Sequence, residues 1–77
     1  MEISVRLYES MKQYAPQGRH AFTINLHDAA TVDDVLKKLC IPEKTAMVVL
    51  VNGRRAAKEA PLEEASTLVL YPPVSGG

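Results

Sequence analysis

A single cysteine, Cys40, in 77 residues leaves no internal disulfide and no cysteine-rich zinc site. It stands directly after Leu39, at the end of an amphipathic run, where a free cysteine is expected to be a small buried hydrophobe. Charge of one sign is missing too. Nine Lys and Arg balance nine Asp and Glu, so the basic excess that phosphate neutralisation demands is absent and no nucleic-acid partner is expected. The longest uninterrupted apolar run, Ala46 to Val51, is six residues. That is too short for a membrane span or a signal-peptide core, so a cytoplasmic protein with no membrane partner is expected. Only four glycines occur, and none forms a phosphate-cradling loop.

Catalytic constellations are equally sparse. His20 and His27 stand seven apart without a cysteine or carboxylate at ligand spacing, which favours surface or packing roles and no metal site. Ser10, Ser66 and Ser75 lack a base pattern or a nucleophile-elbow glycine frame. Glu63-Glu64 lies in a polar stretch and reads as solvated loop. The body of the chain shows no complete active site.

What is there is a compact pattern of elements. The length suits one domain, and 47% hydrophobic with 23% charged residues is a globular composition. Residues 2–8 alternate, with Ile3, Val5 and Leu7 on one side and Glu2, Ser4 and Arg6 on the other, which predicts a half-buried strand. Residues 9–15 predict a short helix ended by Pro16 and Gly18. Phe22, Ile24 and Leu26 alternate with Thr23 and Asn25, a second strand returning antiparallel to the first.

Thr31 to Cys40 predicts the main helix. Val32, Val35, Leu36 and Leu39 fall at i, i+3, i+4 and i+7, an apolar stripe wide enough to cover a core. Thr31 is an N-cap, with Asp34 three residues on as an acidic capping box. Asp33–Lys37 and Asp34–Lys38 are i,i+4 pairs with the acid first, and Pro42 stops the helix. Met47 to Val51 predicts a third, interior strand leading into the hairpin dipeptide Asn52-Gly53. After a polar stretch over 54–66, with room for one short strand or turn, Thr67 to Tyr71 forms the last strand. Strand, strand, helix, strand, loop, strand with one substantial helix is the order of an α+β, β-grasp (ubiquitin-like) fold. It implies a mixed sheet of four to five strands with the helix across one face. Residues 1–71 are expected to be that single domain.

The last six residues, 72–77, carry the functional signal. Pro72 and Pro73 have no N–H to donate, so sheet pairing stops and the chain leaves in a stiff, extended direction. Six extended residues reach roughly 20 Å, against a radius of gyration of about 11 to 12 Å for a body this size. Gly76-Gly77 then drops its side chains, which lets the end thread a narrow channel and present a bare carboxylate. A frayed terminus is the simpler alternative, but it needs no proline clamp, and two final glycines arise by chance in roughly one chain in 200.

Leu70-Tyr71-Pro72-Pro73-Val74-Ser75-Gly76-Gly77 resembles the C-terminus of the molybdopterin synthase small subunits, a family of ubiquitin-like sulfur carriers. Val5-Arg6-Leu7-Tyr8, the helix over Thr31 to Leu39 and Val51-Asn52-Gly53 fall where that family has its elements. The thiamine-pathway carriers share the fold and Gly-Gly but usually lack the Pro-Pro-Val lead-in. The family commonly has a Gly-Asp turn before the last strand, where this chain has Glu64-Ala65-Ser66.

The resemblance implies that Gly77 is the reacting residue, first as a glycyl adenylate and then as a thiocarboxylate (1-thioglycine) sulfur donor, with Pro73, Val74, Ser75 and Gly76 threading the partner's channel. It implies three partners: an adenylyltransferase of the ubiquitin-activating type that uses ATP, a persulfide sulfur donor, and the large catalytic subunit of molybdopterin synthase in a heterotetramer. No cofactor is expected to be bound tightly by the chain, which would be a sulfur-donating subunit and not a complete enzyme. A sulfur carrier for thiazole or tungsten-pterin synthesis, a ubiquitin-like protein modifier and a plain interaction module are the alternatives. Accurate presentation of a thin tail needs a docking face beside it, on the side of the sheet away from the helix. Tyr8, Phe22 and Tyr71 are the expected aromatic anchors, with Arg54 and Arg55 as a polar rim.

Overall fold

The computed structural model describes residues 1–73. Strand β1 spans Glu2–Leu7, β2 Ala21–Asn25, β3 Val48–Val51, β4 Arg54–Arg55 and β5 Thr67–Tyr71. Helix α1 covers Val32–Lys38. One sheet holds all five strands in the order β2-β1-β5-β3-β4. Only the central β1–β5 pair is parallel; β1–β2, β3–β5 and β3–β4 are antiparallel. This is the β-grasp arrangement expected from the element order.

Alternation places Ile3, Val5 and Leu7 of β1 beside Leu68 and Leu70 of β5, all essentially without solvent exposure. Val32, Val35 and Leu36 of α1 close over them, so the predicted helical stripe is the second layer of the core. Leu39 packs at its edge. The segment 9–15 forms a 3-10 helix, Glu9–Tyr14, whose Met11 plugs one end of the core.

The helix is shorter than predicted, and its end explains Cys40. Leu39 has left helical geometry, and Cys40 takes a left-handed φ of 59°. The Cys40 N–H then donates to the Lys37 carbonyl at 3.0 Å, and that of Ile41 to the Leu36 carbonyl at 2.9 Å. This is the Schellman pairing, and buried Leu36 and Ile41 supply its apolar contact. A residue at this position points its side chain outward, so Cys40 is exposed and not the buried hydrophobe expected.

At the other end Asp34 Oδ2 accepts the Thr31 N–H at 2.8 Å and lies 3.3 Å from the Thr31 hydroxyl. The next two free helix N–H groups are taken by the polar loop: Val32 donates to the Ala60 carbonyl at 3.0 Å and Asp33 to that of Lys58 at 2.8 Å. The 54–66 stretch is therefore pinned to α1. Asp33 and Lys37 pair at 3.1 Å. Asp34 turns back to the N-cap and to His27, 3.7 Å away, in place of the expected pairing with Lys38.

Candidate functional site

β5 leads to the tail. Its last paired residue is Tyr71, opposite Val48, and pairing ends at Pro72 as the missing N–H requires. Pro73 is exposed. Val74, Ser75, Gly76 and Gly77 lie outside the described residues.

The face of the sheet away from α1 follows from the same alternation. With Leu68 and Leu70 turned to the core, Thr67, Val69 and Tyr71 face the other way, joined by Val48 and Leu50 of β3. Val48, Leu50, Val69 and Tyr71 are each half-buried and form an apolar stripe beside the tail exit. The register sets Arg6, Val69, Leu50 and Arg55 in one row across four strands. Two arginines thus bracket the stripe, three strand spacings or about 14 Å apart. Among the described residues neither is in an ion pair. Tyr8 donates its N–H to the Leu70 carbonyl at 3.0 Å, continuing β1 in extended geometry with its ring on this face. It is the most exposed of the large hydrophobic residues described, at 39%.

Three of the five docking residues expected from sequence therefore meet here: Tyr8, Tyr71 and Arg55. Phe22 does not. It pairs with Val5, shares the core-facing side of β2 and packs against the core cluster. Arg54 is opposite Val51, which also packs against the core, so it belongs to the other side of the hairpin edge. Period-two alternation turns neighbours to opposite faces, so adjacent arginines could not both join one rim. The apolar members Val48, Leu50 and Val69 were missed, although Leu68 and Leu70 inside imply Val69 and Tyr71 outside.

The polar candidates stay apart from this face. His20 and His27 flank β2 and are exposed. Ser66, buried at 2%, accepts the Glu63 N–H through its hydroxyl at 2.9 Å and closes the turn before β5. In that turn Ala65 adopts φ 67°, the conformation for which glycine is the natural residue. Among the described residues, no three of His, Cys, Asp and Glu converge as a metal cluster, and no helix is long and apolar enough to cross a membrane.

The model described as the ThiS family matches residues 5–77. The chain belongs to this family of ubiquitin-like sulfur carriers. The structure resembles that of SAMP1, a small archaeal modifier protein of Haloferax volcanii, with TM-score 0.80 and 25% identity over 100% of both chains. It has the fold of a putative molybdopterin converting factor subunit 1 from Pyrococcus furiosus, with TM-score 0.80 and 21% identity over 95% of this chain and 98% of that one. A third similar fold comes from a complex of subunits 1 and 2 of the molybdopterin-converting factor of Helicobacter pylori 26695, with TM-score 0.66 and 21% identity over 100% of both chains. Comparison with curated proteins finds no match.

Proposed function

We propose that this ThiS-family chain is the sulfur-donating small subunit of a molybdopterin synthase, carrying sulfur on the carboxyl group of Gly77. The observation that carries the reading is the apolar stripe of Val48, Leu50, Val69 and Tyr71, which meets the tail at Tyr71 and so can hold the body while the tail extends. The Pro72-Pro73-Val74 lead-in favours a pterin acceptor over thiazole.

The chemistry follows from the carboxylate. It is a poor electrophile until one oxygen becomes a leaving group, so the activating partner joins that oxygen to the α-phosphorus of ATP and releases pyrophosphate. The persulfide sulfur of the donor attacks the Gly77 carbonyl carbon and AMP leaves with the bonding pair. A thiol then attacks the donor's own sulfur in the resulting acyl disulfide, giving a mixed disulfide and the Gly77 thiocarboxylate. That anion is soft and more nucleophilic than a carboxylate. In the large subunit's channel its sulfur would displace an oxygen at a carbon of the pterin precursor, that oxygen leaving with the bonding pair. Water would then cleave the Gly77 acyl–sulfur bond, leaving sulfur on the pterin and Gly77 as a carboxylate. This chain's part is to present the group: proline stiffens the tail, Gly76 and Gly77 keep it thin, and the stripe with Tyr8 and Tyr71 docks it.

The resemblance to a protein named a modifier favours a second reading, in which Gly77 forms an isopeptide with a lysine. Mass spectrometry of the chain incubated with its activating enzyme, ATP and a persulfide donor separates the two. An oxygen-for-sulfur shift on Gly77 is expected. Conjugate ladders without that shift would establish the modifier instead, and an unchanged mass would remove both.

A further inference from the structure

The two edges of the sheet are built differently. The β4 edge is two residues long and both are arginines, the short, charged form that blocks pairing with another chain. The β2 edge is five residues, Ala-Phe-Thr-Ile-Asn, with no charge and no proline. Its unused backbone groups can be located. Leu7 N–H donates to the His20 carbonyl at 2.8 Å, and Leu26 N–H to that of Met1 at 2.7 Å. Bonded pairs alternate along an antiparallel ladder, so Phe22 and Ile24 bond to β1 while Ala21, Thr23 and Asn25 aim their N–H and C=O groups outward.

We propose that β2 is a homodimerisation edge, pairing antiparallel with β2 of a second copy about a two-fold axis at Thr23. That register sets Thr23 against Thr23, and Ala21 against Asn25, of the second copy. All three outward residues of each strand are used, making six new backbone hydrogen bonds. A register centred on Phe22 would need the Arg19 N–H, which already donates to the Pro16 carbonyl at 3.0 Å. The side chains agree. Half-buried Phe22 and Ile24 of one copy meet Ile24 and Phe22 of the other on the core side, a favourable apolar cross-strand pairing. Beyond the strand Arg19, itself extended, comes beside His27 and the fully exposed Asp28 of the second copy, giving opposite charges at both ends. The axis runs along the sheet normal, so both helices lie on one side. The stripe around Val69 and the Tyr71 end of each β5 stay uncovered, since β5 is the middle strand of its own half of the ten-stranded sheet. The dimer is therefore independent of the sulfur-carrier reading.

Sedimentation equilibrium from micromolar to about 1 mM protein, with amide hydrogen exchange at both limits, tests this. The mass is expected to rise from 8.4 kDa towards twice that value. The amides of Ala21, Thr23 and Asn25 should exchange at least about tenfold more slowly in the associated form. Thr23→Lys, an exposed change that puts like charges opposite each other on the axis, should stay at monomer mass with an unchanged circular-dichroism spectrum. A constant 8.4 kDa mass in the parent chain overturns the proposal. So does association that leaves those three amides unprotected, which would place the contact elsewhere.

Discussion

At the scale of single residues, the informative positions are those where a side chain occupies backbone geometry suited to glycine. Cys40 at φ 59° and Ala65 at φ 67° each hold a left-handed conformation, which costs a residue with a Cβ about 1–2 kcal/mol. Cys40→Gly and Ala65→Gly relieve that strain while enlarging the unfolded ensemble. Each is expected to stabilise the fold by about 0.5–1 kcal/mol in urea denaturation, and a loss of stability in either would contradict the assigned geometry. Ala65 stands where the resemblance sets a Gly-Asp turn, and here an alanine holds the left-handed geometry that glycine adopts without a Cβ penalty. Asn52 and Gly53, at φ 51° and 83°, supply the two positive values a tight hairpin needs. Asn52 does more, since its side-chain oxygen accepts the Thr67 N–H at 2.9 Å and ties the hairpin to β5.

At the scale of elements, the N-terminus of α1 makes a pH prediction. The Thr31 backbone N–H, donating to Asp34, is the main cause that holds this carboxyl below the usual carboxylate range, helped by the Thr31 hydroxyl, His27 and Lys37. A lowered folded value means the contribution is present above the unfolded value of roughly 3.9 and is lost as pH falls through the folded one. The parent should therefore exceed Asp34→Asn in thermal stability at neutral pH and converge with it in strong acid. An NMR titration placing the Asp34 carboxyl at or above the ordinary value would refute the cap. Strand β5 makes a second prediction from its two faces. Leu70→Ala should cost about 3 kcal/mol in denaturant unfolding because its side chain is wholly buried. Val69→Ala, on the open face, should cost under about 1 kcal/mol and weaken partner binding instead. Equal destabilisation by both would mean that the face assignment is wrong.

At the scale of the whole molecule, β5 ends at Tyr71, and among the described residues none after Leu70 joins the core cluster. Deleting Gly76 and Gly77 should leave the melting temperature unchanged and abolish sulfur transfer, and a fall of many degrees would place the tail within the fold. On the proposed function, the activating enzyme and the large subunit would need the same carboxyl group and the same stripe beside it. They are expected to exclude one another in a competition titration. Undiminished binding of the large subunit to a preformed complex with the activating enzyme would end the shared-face reading.

Local pattern alone determined much of this protein. Strand β5, the apolar stripe of α1, the Thr31 cap, the Asn52-Gly53 turn and the proline stop are set by near neighbours in the chain, through periodicity, capping and missing N–H groups. Those interactions are short-range, so they can be read before anything folds. Other features depend on which strands meet. Phe22 looked like an anchor because its strand alternates, but alternation cannot say which side faces the helix until β2 is paired with β1. The row Arg6, Val69, Leu50, Arg55 exists only because residues distant in sequence share a register. The loop over 54–66 looked irregular because its order comes from carbonyls that satisfy the helix N-terminus across space. The proline stop was legible because it needs no partner strand, only missing N–H groups. The apolar stripe was not, because a sheet surface is assembled from segments whose pairing only the folded chain decides.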